Sequence, residues 1–363
     1  MRLGAFAGDI FRSFETFGTR PLSAMTEHLD VKGLVITSPG NVSIQRFSLP
    51  KRDEYVQVKV DACGLCTWEQ RVYKGVKPTY PFWGGHEVCG TVYHDNAGTL
   101  KSGERVALAL MRRCGECDYC KKGLNNHCAY VHPEAAEAVP NGPRGLSDMM
   151  LVPSYKVFRL GPNVPVEVGA LVEPLACVIR SVDKGQLTFG NTAVVIGGGS
   201  MGLIHTALLK MLGCHVIVCD DDPRRAVSAG ADAVLPPNGC REEIDHLTSG
   251  RGADAVFCTA GGVDAIQLAV AVASRGGRIV LYQSIRGSAL SSVDMNDVHY
   301  REIQIKGTIS QTIDDFQRAA SLVSTAPNFL NFLTTEMVNA ERGKDAFDKA
   351  VSHSANRVLV SFA

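Results

Sequence analysis

The sequence predicts an α/β protein with a doubly wound parallel sheet and a second, β-rich domain. From about residue 171 to 308, apolar strand-like runs alternate with helical patterns, which is typical of parallel strands with helical crossovers. From residue 31 to about 165, many short β-type runs are separated by Gly, Pro and Asn turns. This second pattern indicates a β-rich domain that resembles a partly open barrel.

The individual elements follow from the same patterns. KGLVI, YVQVKV and ERVALAL are predicted strands of the β-rich domain. In the α/β domain, TAVVIGG precedes a helix, HVIVCD a short helix and DAVFCTA the helical run DAIQLAVAVASRGG, after which RIVLYQS forms a strand. Helices around 313–323 and 341–351 and a closing strand RVLVSF complete the chain. We expect residues 309–363 to return to the β-rich domain of residues 31–170.

Residues 1–30 share neither pattern and are predicted to be an N-terminal extension. They are either poorly ordered or form a docking helix with Phe11, Phe14 and Phe17 on one face. A third interpretation is that Met25 is the natural start.

Composition narrows the class of partner. A chain of 363 residues with 45% apolar and 20% charged residues is globular and long enough for two domains. Its 37 basic residues balance its 37 acidic ones, so no electrostatic footprint for nucleic acid or a membrane surface is present, and small-molecule partners are expected. The uncharged stretch 192–209 contains three consecutive glycines, and no apolar leader opens the chain. We therefore expect a cytoplasmic protein.

A glycine motif predicts the nucleotide site. Gly197, Gly199 and Gly202 form G-x-G-x-x-G between an apolar strand and a helix. In that context the first glycine makes a tight turn, the second lets backbone amides approach a pyrophosphate, and the third lets the helix pack on the strand. Ser200 and Met201 lie at the helix N-terminus, which would face the phosphates.

The choice between NAD and NADP depends on the end of the next strand. Asp220 follows Gly202 at the distance where an acid holds the ribose hydroxyls, and its charge would repel a 2′-phosphate. Arg224 and Arg225 are counter-evidence, because an arginine nearby can accept that phosphate, and Arg225 is kept as a cofactor-binding candidate. The sequence favours NAD.

Two clusters of metal-ligating residues stand out among twelve cysteines, which in a long chain without export signals point to metal or redox use. Four cysteines on one loop match a closed structural zinc site, with an iron–sulfur cluster as the rival interpretation. They are Cys114, Cys117, Cys120 and Cys128. Cys66, His86 and Glu87 would leave a fourth position open, as a catalytic zinc requires.

The whole pattern resembles the zinc-containing medium-chain dehydrogenases, the superfamily of alcohol, polyol and threonine dehydrogenases. The resemblance covers about residues 31–363, and its motifs occur in the family's order. They are GLC at 64–66, GGHEVCG at 84–90, the four-cysteine loop, LVEPLA at 171–176, the glycine motif, Asp220, GGRIVL and IQIKGT. The resemblance implies a GroES-like fold for the β-rich domain and a Rossmann fold for residues 171–308.

The resemblance also assigns roles. It implies that Cys66 and not Cys63 binds the catalytic zinc with His86, that Glu87 ligates the zinc or lies beside it, and that Glu173 approaches it directly or through water. Cys177 is a less favoured ligand. The implied reaction is hydride transfer from a secondary alcohol to the nicotinamide, with zinc lowering the pKa of the substrate hydroxyl.

One departure from the family pattern concerns the proton. Members usually carry Ser or Thr two residues after the ligating cysteine and Asp at the third. Here Trp68 and Glu69 occupy these places. An indole cannot accept or relay a proton, so the usual route by which the alcohol proton leaves is missing. Glu69 can still support the metal indirectly, by holding one of its ligands.

The predicted function is NAD-dependent, zinc-dependent oxidation of a secondary alcohol in a polyol, sugar derivative or cyclitol, with two zinc ions per chain. A threonine or amino-alcohol dehydrogenase shares nearly every motif and remains open. A catalytically impaired nucleotide-binding protein is the alternative from another class. The resemblance implies a homodimer or homotetramer.

Overall fold

The fold is described from a computed structural model for residues 27–111, 113–129, 140–222, 227–284, 293–352 and 355–362. Most of the predicted N-terminal extension, with Met25 and the three phenylalanines, lies outside these residues. The first described strand begins at His28, three residues before the predicted start of the β-rich domain.

Two sheets form the β-rich part, and their strands pair antiparallel except for β14 and β15, which are parallel. Strands β1 (His28–Ser38) and β2 (Asn41–Pro50) make a hairpin. The larger sheet has the order β14-β15-β3-β4-β5-β7, with β6 paired to β3. Its strands are β3 (Tyr55–Gly64), β4 (Glu87–Asp95), β5 (Arg105–Ala109), β6 (Met149–Pro153), β7 (Val157–Arg159), β14 (Thr335–Asn339) and β15 (Arg357–Ser361). The chain's last strand therefore pairs with β3.

The third sheet has six parallel strands in the order β10-β9-β8-β11-β12-β13. This is the strand order of a Rossmann fold, in which the chain runs outward from the middle in both directions. The strands are β8 (Thr192–Ile196), β9 (His215–Cys219), β10 (Ala233–Leu235), β11 (Ala253–Cys258), β12 (Ala273–Leu281) and β13 (Gln304–Gly307). The predicted fold class is confirmed.

Ten α-helices complete the described part of the chain. They are α1 (Thr67–Tyr73), α2 (Asp118–Lys121), α3 (Val166–Ala170), α4 (Val172–Gly185), α5 (Ser200–Met211), α6 (Cys240–Leu247), α7 (Val263–Val272), α8 (Met295–Tyr300), α9 (Ile313–Thr325) and α10 (Gly343–Ser352). Short 3₁₀ turns occur at Asn125–His127, Ser154–Lys156, Val227–Ala229 and Ala340–Arg342. Within this part of the chain, every helix is too short or too polar to cross a bilayer.

One element differs from its sequence pattern. The helical run DAIQLAVAVASRGG was expected to continue to residue 277, but α7 ends at Val272 and β12 begins at Ala273. Gly276 has a φ of +69°, a left-handed conformation that an α-helix does not tolerate, and the pairing with β11 shifts register in this stretch. A helix through residue 277 is thus excluded, and the chain is already extended at Ala273, three residues before Gly276.

A buried disulfide lies beside the parallel sheet. Cys219, at the end of β9, is paired with Cys240, at the start of α6, across 21 residues. This pair was not predicted, because only clustered cysteines were assigned to metal or redox use. Cys219 and Cys240 are isolated in the sequence.

A shared core joins the sheets. One apolar cluster contains Ala107 and Leu359 of the β-rich sheet together with Val195 and Phe257 of the parallel sheet. Helix α4 lies in this cluster, and its buried residues include Leu175 and Val182. Helix α4 contacts β4 and β5 of the β-rich part and β11 and β12 of the parallel sheet, so it links the two.

Candidate active site and metal centres

The four-cysteine loop folds around one point, as its spacing suggested. The ligand atoms of all four cysteines lie within 4.8 Å of one another, with the residues in the order Cys114, Cys117, Cys120 and Cys128. The loop follows β5 and contains α2, which begins directly after Cys117. Backbone amides of Glu116 and Cys117 donate to Cys114 Sγ at 3.4 and 3.3 Å, which favours the thiolate that zinc requires.

The charges in this loop fit a cation. Backbone amides of Cys120 and Ala129 lower the pKa of the Cys117 thiol to about 6. Burial and the neighbouring thiols raise the pKa of Cys120 to about 12. Four thiolates cannot crowd together at neutral pH without positive charge between them, so the donor set suits a divalent metal with four sulfur ligands.

The second cluster is assembled by strand pairing. Cys66 lies directly before α1, two residues beyond the end of β3, and Glu87 opens β4 with His86 just before it. Because β3 and β4 are antiparallel, with Gly64 opposite Glu87, the two motifs meet. The ligand atoms of Cys66, His86 and Glu87 lie within 4.8 Å of one another. A thiol, an imidazole and a carboxylate at this spacing fit a zinc site with one open position.

Glu69 holds the imidazole of His86. Its carboxylate is fully buried, contacts His86 Nδ1 at 3.0 Å and accepts the Gly85 amide at 3.0 Å. Burial alone would raise the pKa of Glu69, but His86 and the Gly85 amide lower it below its ordinary value. Since Nδ1 is engaged, Nε2 is the nitrogen available to a metal, the arrangement in which an outer carboxylate orients a metal-binding histidine.

Glu87 is paired with an arginine that the sequence analysis did not identify. Arg357 Nη2, in β15, lies 3.3 Å from Glu87 Oε1, and both side chains are buried. Burial raises the pKa of Glu87, and Arg357 and His86 oppose that rise. Within the described residues, both carboxylate oxygens of Glu87 lack a hydrogen bond, although Arg357 pairs with one of them. Unsatisfied acceptors of this kind fit a site completed by a cation.

Glu173 lies near this cluster but is not one of its three closely grouped ligands. It is buried in the first turn of α4, where Cys177 Sγ approaches its Oε1 at 3.6 Å. The Cys177 thiol also approaches Gln311 Oε1 at 3.3 Å. Burial raises the pKa of Tyr282, and the charges of Cys177, Glu173 and Cys66 raise it further, so Tyr282 also borders the site.

Trp68 closes one side of the cluster. Its indole ring centre is 5.7 Å from the imidazole of His86 and 5.4 Å from the ring of Phe82. The Lys77 ammonium lies over the indole, 4.7 Å from the ring centre. Trp68 was expected near the metal, whereas Lys77 belongs to no sequence motif and was not predicted to take part.

The glycine motif has the geometry of a dinucleotide loop. Gly197 has a φ of +103°, and a Cβ on Gly202 would lie 1.8 Å from the Gly197 carbonyl oxygen, so both positions require glycine. A Cβ on Gly199 would meet open space, which leaves room for a ligand to approach the backbone before α5. The Ser200 hydroxyl donates to the Asn356 carbonyl, and Met201 Sδ lies 3.6 Å from Arg357.

Asp220 reaches back to the same loop. Its carboxylate accepts the backbone amide of Gly198 at 2.7 Å and that of Asp222 at 2.9 Å. The two bonds orient the carboxylate beside the loop, where a ribose would follow the pyrophosphate. Arg225, the other candidate near this point, lies outside the described residues.

A doubly wound sheet with a dinucleotide loop, next to a Cys-His-Glu cluster in an antiparallel domain, defines a zinc-dependent and nicotinamide-dependent dehydrogenase. Comparison with known families agrees. The alcohol dehydrogenase GroES-like domain matches residues 52–162, and the zinc-binding dehydrogenase family matches residues 200–325. The chain belongs to the zinc-type medium-chain dehydrogenase superfamily, and it is a dehydrogenase that uses zinc and a nicotinamide dinucleotide.

Three known proteins illustrate the relationship. The chain is 30% identical over 279 residues to 2-dehydro-3-deoxy-L-galactonate 5-dehydrogenase of Pseudoalteromonas atlantica, covering 74% of this chain and 80% of the relative. It is 26% identical to D-arabitol-phosphate dehydrogenase of Enterococcus avium, covering 91% and 97%. A crystal structure described as a zinc-binding dehydrogenase from Sinorhizobium meliloti 1021 bound to NADP has a TM-score of 0.81 at 25% identity, covering 92% and 99%.

Proposed function

We propose that this protein oxidises a secondary alcohol of a polyol or sugar derivative, or reduces the matching ketone, with NAD and with zinc at Cys66, His86 and Glu87. The observation that carries the proposal is the grouping of these three ligand atoms within 4.8 Å of one another. Arg357 connects the group to the nucleotide loop through Met201. A hydroxyl held at the open position would therefore lie beside the nicotinamide.

Each side chain has a separate task in this proposal. Zinc, when bound, supplies Lewis acidity that lowers the pKa of an alcohol hydroxyl. Glu69 fixes the orientation of His86 through the 3.0 Å contact, and Arg357 balances the buried charge of Glu87. Trp68 gives the substrate an apolar wall and excludes water from one side. Because position 68 carries no hydroxyl, the alcohol proton leaves by a different route from that of the family pattern.

The second zinc belongs to the four-cysteine loop and is structural. Its ligands leave no open position, so its contribution is to hold together a loop with few buried apolar side chains. Two zinc ions per chain are the proposed content.

NAD is the proposed cofactor because Asp220 faces the glycine loop with its carboxylate oriented by two backbone amides. A negative charge at this place repels the 2′-phosphate of NADP. The NADP-bound relative shows that its own site accepts that phosphate.

The polyol or sugar class is supported by the names of the two sequence relatives, both of which denote oxidation of polyhydroxylated compounds. The acid in the ligand set agrees with this choice. The cytoplasmic location and the homodimer or homotetramer expected from the sequence stay predictions.

The first test measures zinc per chain and then NADH formation with polyols, sugar acids, cyclitols, aliphatic alcohols and threonine. We expect two zinc ions and turnover of a polyhydroxylated substrate. Cys66→Ala should lose one zinc and all turnover. A single zinc in the wild-type protein, or preferential turnover of threonine, would contradict the proposal.

The cofactor preference is tested with Asp220→Ala, beside Asp221→Ala as a matched control. Both variants remove one negative charge, but only Asp220 bonds to the Gly198 amide of the loop. We expect the KM for NAD to rise by about tenfold and discrimination against NADP to weaken in Asp220→Ala. If the ratio of kcat/KM with NAD to kcat/KM with NADP is unchanged, Asp220 does not contact the ribose.

A further inference from the structure

The end of α1 holds Lys77 in a defined place. Gly75, with a φ of +73°, donates its amide to the Val72 carbonyl, and Val76 donates to the Arg71 carbonyl. These two bonds form a Schellman motif, which closes a helix with a left-handed residue. The Lys77 amide also donates to the Arg71 carbonyl at 3.1 Å. The backbone at Lys77 is therefore fixed to the helix that carries Trp68.

The ammonium of Lys77 rests on the indole of Trp68. It lies 4.7 Å from the ring centre, within the range of a cation–π contact. The side chain is exposed, and among the described residues no carboxylate forms a salt bridge with it. A cation–π contact occupies one side of the ammonium and leaves N–H donors on its other side, so the ammonium can still bind an anion.

The distance to the ligand cluster suits a small substrate. The Trp68 ring centre is 5.7 Å from the imidazole centre of His86, so the ammonium is no farther from His86 than this distance added to the 4.7 Å contact. A chain of six carbons with C–C bonds of about 1.5 Å spans roughly 6 Å, and the oxygen at each end adds about 1.4 Å, so a molecule of this size approaches that upper limit. One molecule can reach both the zinc ligands and Lys77.

We propose that the Trp68–Lys77 pair recognises a terminal anionic group, a carboxylate or a phosphate, on the polyhydroxylated substrate. The reacting hydroxyl lies at Cys66, His86 and Glu87, the carbon chain crosses the indole face, and the anion pairs with the Lys77 ammonium. Trp68 thus replaces the usual hydroxyl residue with a platform that positions both the substrate chain and the lysine. This inference rests on the proposed function and narrows its substrate class.

The test uses compounds that share one carbon skeleton and differ at one end. Glucitol, gluconate and glucitol 1-phosphate form one set, and galactitol, galactonate and galactitol 1-phosphate form another. The zinc-loaded enzyme is measured with NAD for turnover, and binding is followed by tryptophan emission. The chain has two tryptophans, and Trp83 is buried and donates to the Leu146 carbonyl, so Trp68 is the one placed to report.

We expect an anionic member to have a kcat/KM about tenfold above its neutral partner and to change the emission. Lys77→Gln should remove that preference, mainly through the KM of the anionic member, while Lys77→Arg should keep most of it. Lys74→Gln is the matched control, since Lys74 is an exposed lysine at the same helix end, and it should keep the preference. Trp68→Phe should lose the emission change. Comparison of the carboxylate member with the phosphate member of each set shows which of the two anionic groups the site binds.

The outcomes separate this inference from the proposed function. Turnover of neutral polyols with no anionic preference, or an equal effect of Lys77→Gln on both members, overturns the anion site and leaves the dehydrogenase function standing. Anion binding at Trp68 that needs Lys77, without turnover of any member, supports the anion site and overturns the proposed polyol function. Neither binding nor turnover overturns both.

Discussion

At the scale of single residues, the site depends on a buried carboxylate that contacts a metal ligand. Glu69 is fully buried with no direct place among the three ligands, yet it contacts His86 Nδ1 and the Gly85 amide. A Cβ on Gly84 would lie 2.8 Å from Glu69 Cγ, so the GGHE segment leaves space for this longer acid. Glu69 therefore takes the place that aspartate has in the family pattern and orients His86 from there.

Glu69→Gln is expected to weaken zinc retention at the Cys66 site by about 10- to 100-fold, because an amide accepts the Nδ1–H of His86 more weakly than a carboxylate and so makes Nε2 a less basic ligand. Competition with a chelator measures this affinity. Glu69→Asp, which keeps the charge, is the control and should retain more zinc. Equal retention in the wild type and Glu69→Gln would refute the positioning role.

At the scale of elements, buried polar bridges join neighbouring helices. His205, in α5, contacts the Ser181 hydroxyl of α4 through Nε2 at 2.8 Å and the Met201 carbonyl through Nδ1 at 2.7 Å. Its ring also packs against Phe257 and Tyr282. Burial lowers the pKa of His205 from the ordinary 6.5 to about 4, so the bridge uses the neutral imidazole.

This bridge predicts a pH dependence of stability. Because the folded-state pKa of His205 lies below its unfolded value, the unfolded chain binds the extra proton between about pH 6.5 and pH 4. Stability should therefore fall as pH drops through this window, by up to about 3 kcal/mol. Urea unfolding at several pH values should show a shallower slope for His205→Gln. The exposed control His246→Gln should keep the wild-type slope, and identical slopes for all three proteins would contradict the prediction.

At the scale of the whole molecule, residues 356 and 357 connect the larger sheet of the β-rich part to the nucleotide-binding part at the active site. Asn356 accepts the Ser200 hydroxyl at the start of α5, and Arg357 contacts both Met201 and Glu87. The start of β15 and the residue before it therefore contact both the N-terminus of α5 and the zinc ligand Glu87. Any movement between the sheets would change all three contacts.

Arg357→Met is expected to destabilise the protein by about 3 kcal/mol, since it leaves the buried Glu87 without its cation. Zinc-loaded protein should lose less than zinc-stripped protein, because the metal also balances Glu87. Urea unfolding of both forms measures this difference. Arg342→Met is the control, since its pair with Asp345 is exposed. A loss no larger than that of the control would show that Arg357 is not needed.

The features that could be predicted from the sequence are those built from local spacing. The four cysteines lie on one loop, the glycine motif joins one strand to the next helix, and the alternation of strands and helices repeats along the chain. Local geometry and hydrophobic periodicity act over a few residues, so a sequence displays them directly. The end of α7 was mispredicted because Ala273 and the residues after it pair with β11 as a strand, which depends on sheet pairing and not on local periodicity.

The sequence by itself determined the fold class, the two groups of metal-ligating residues and the nucleotide loop. Only the tertiary structure decided that Arg357 neutralises Glu87, that His205 bridges two helices, and that Lys77 lies over Trp68. These contacts join segments whose meeting depends on strand pairing, helix closure and core packing. A linear pattern does not encode such distances, whereas a buried charge or a packed ring depends on its neighbours in space.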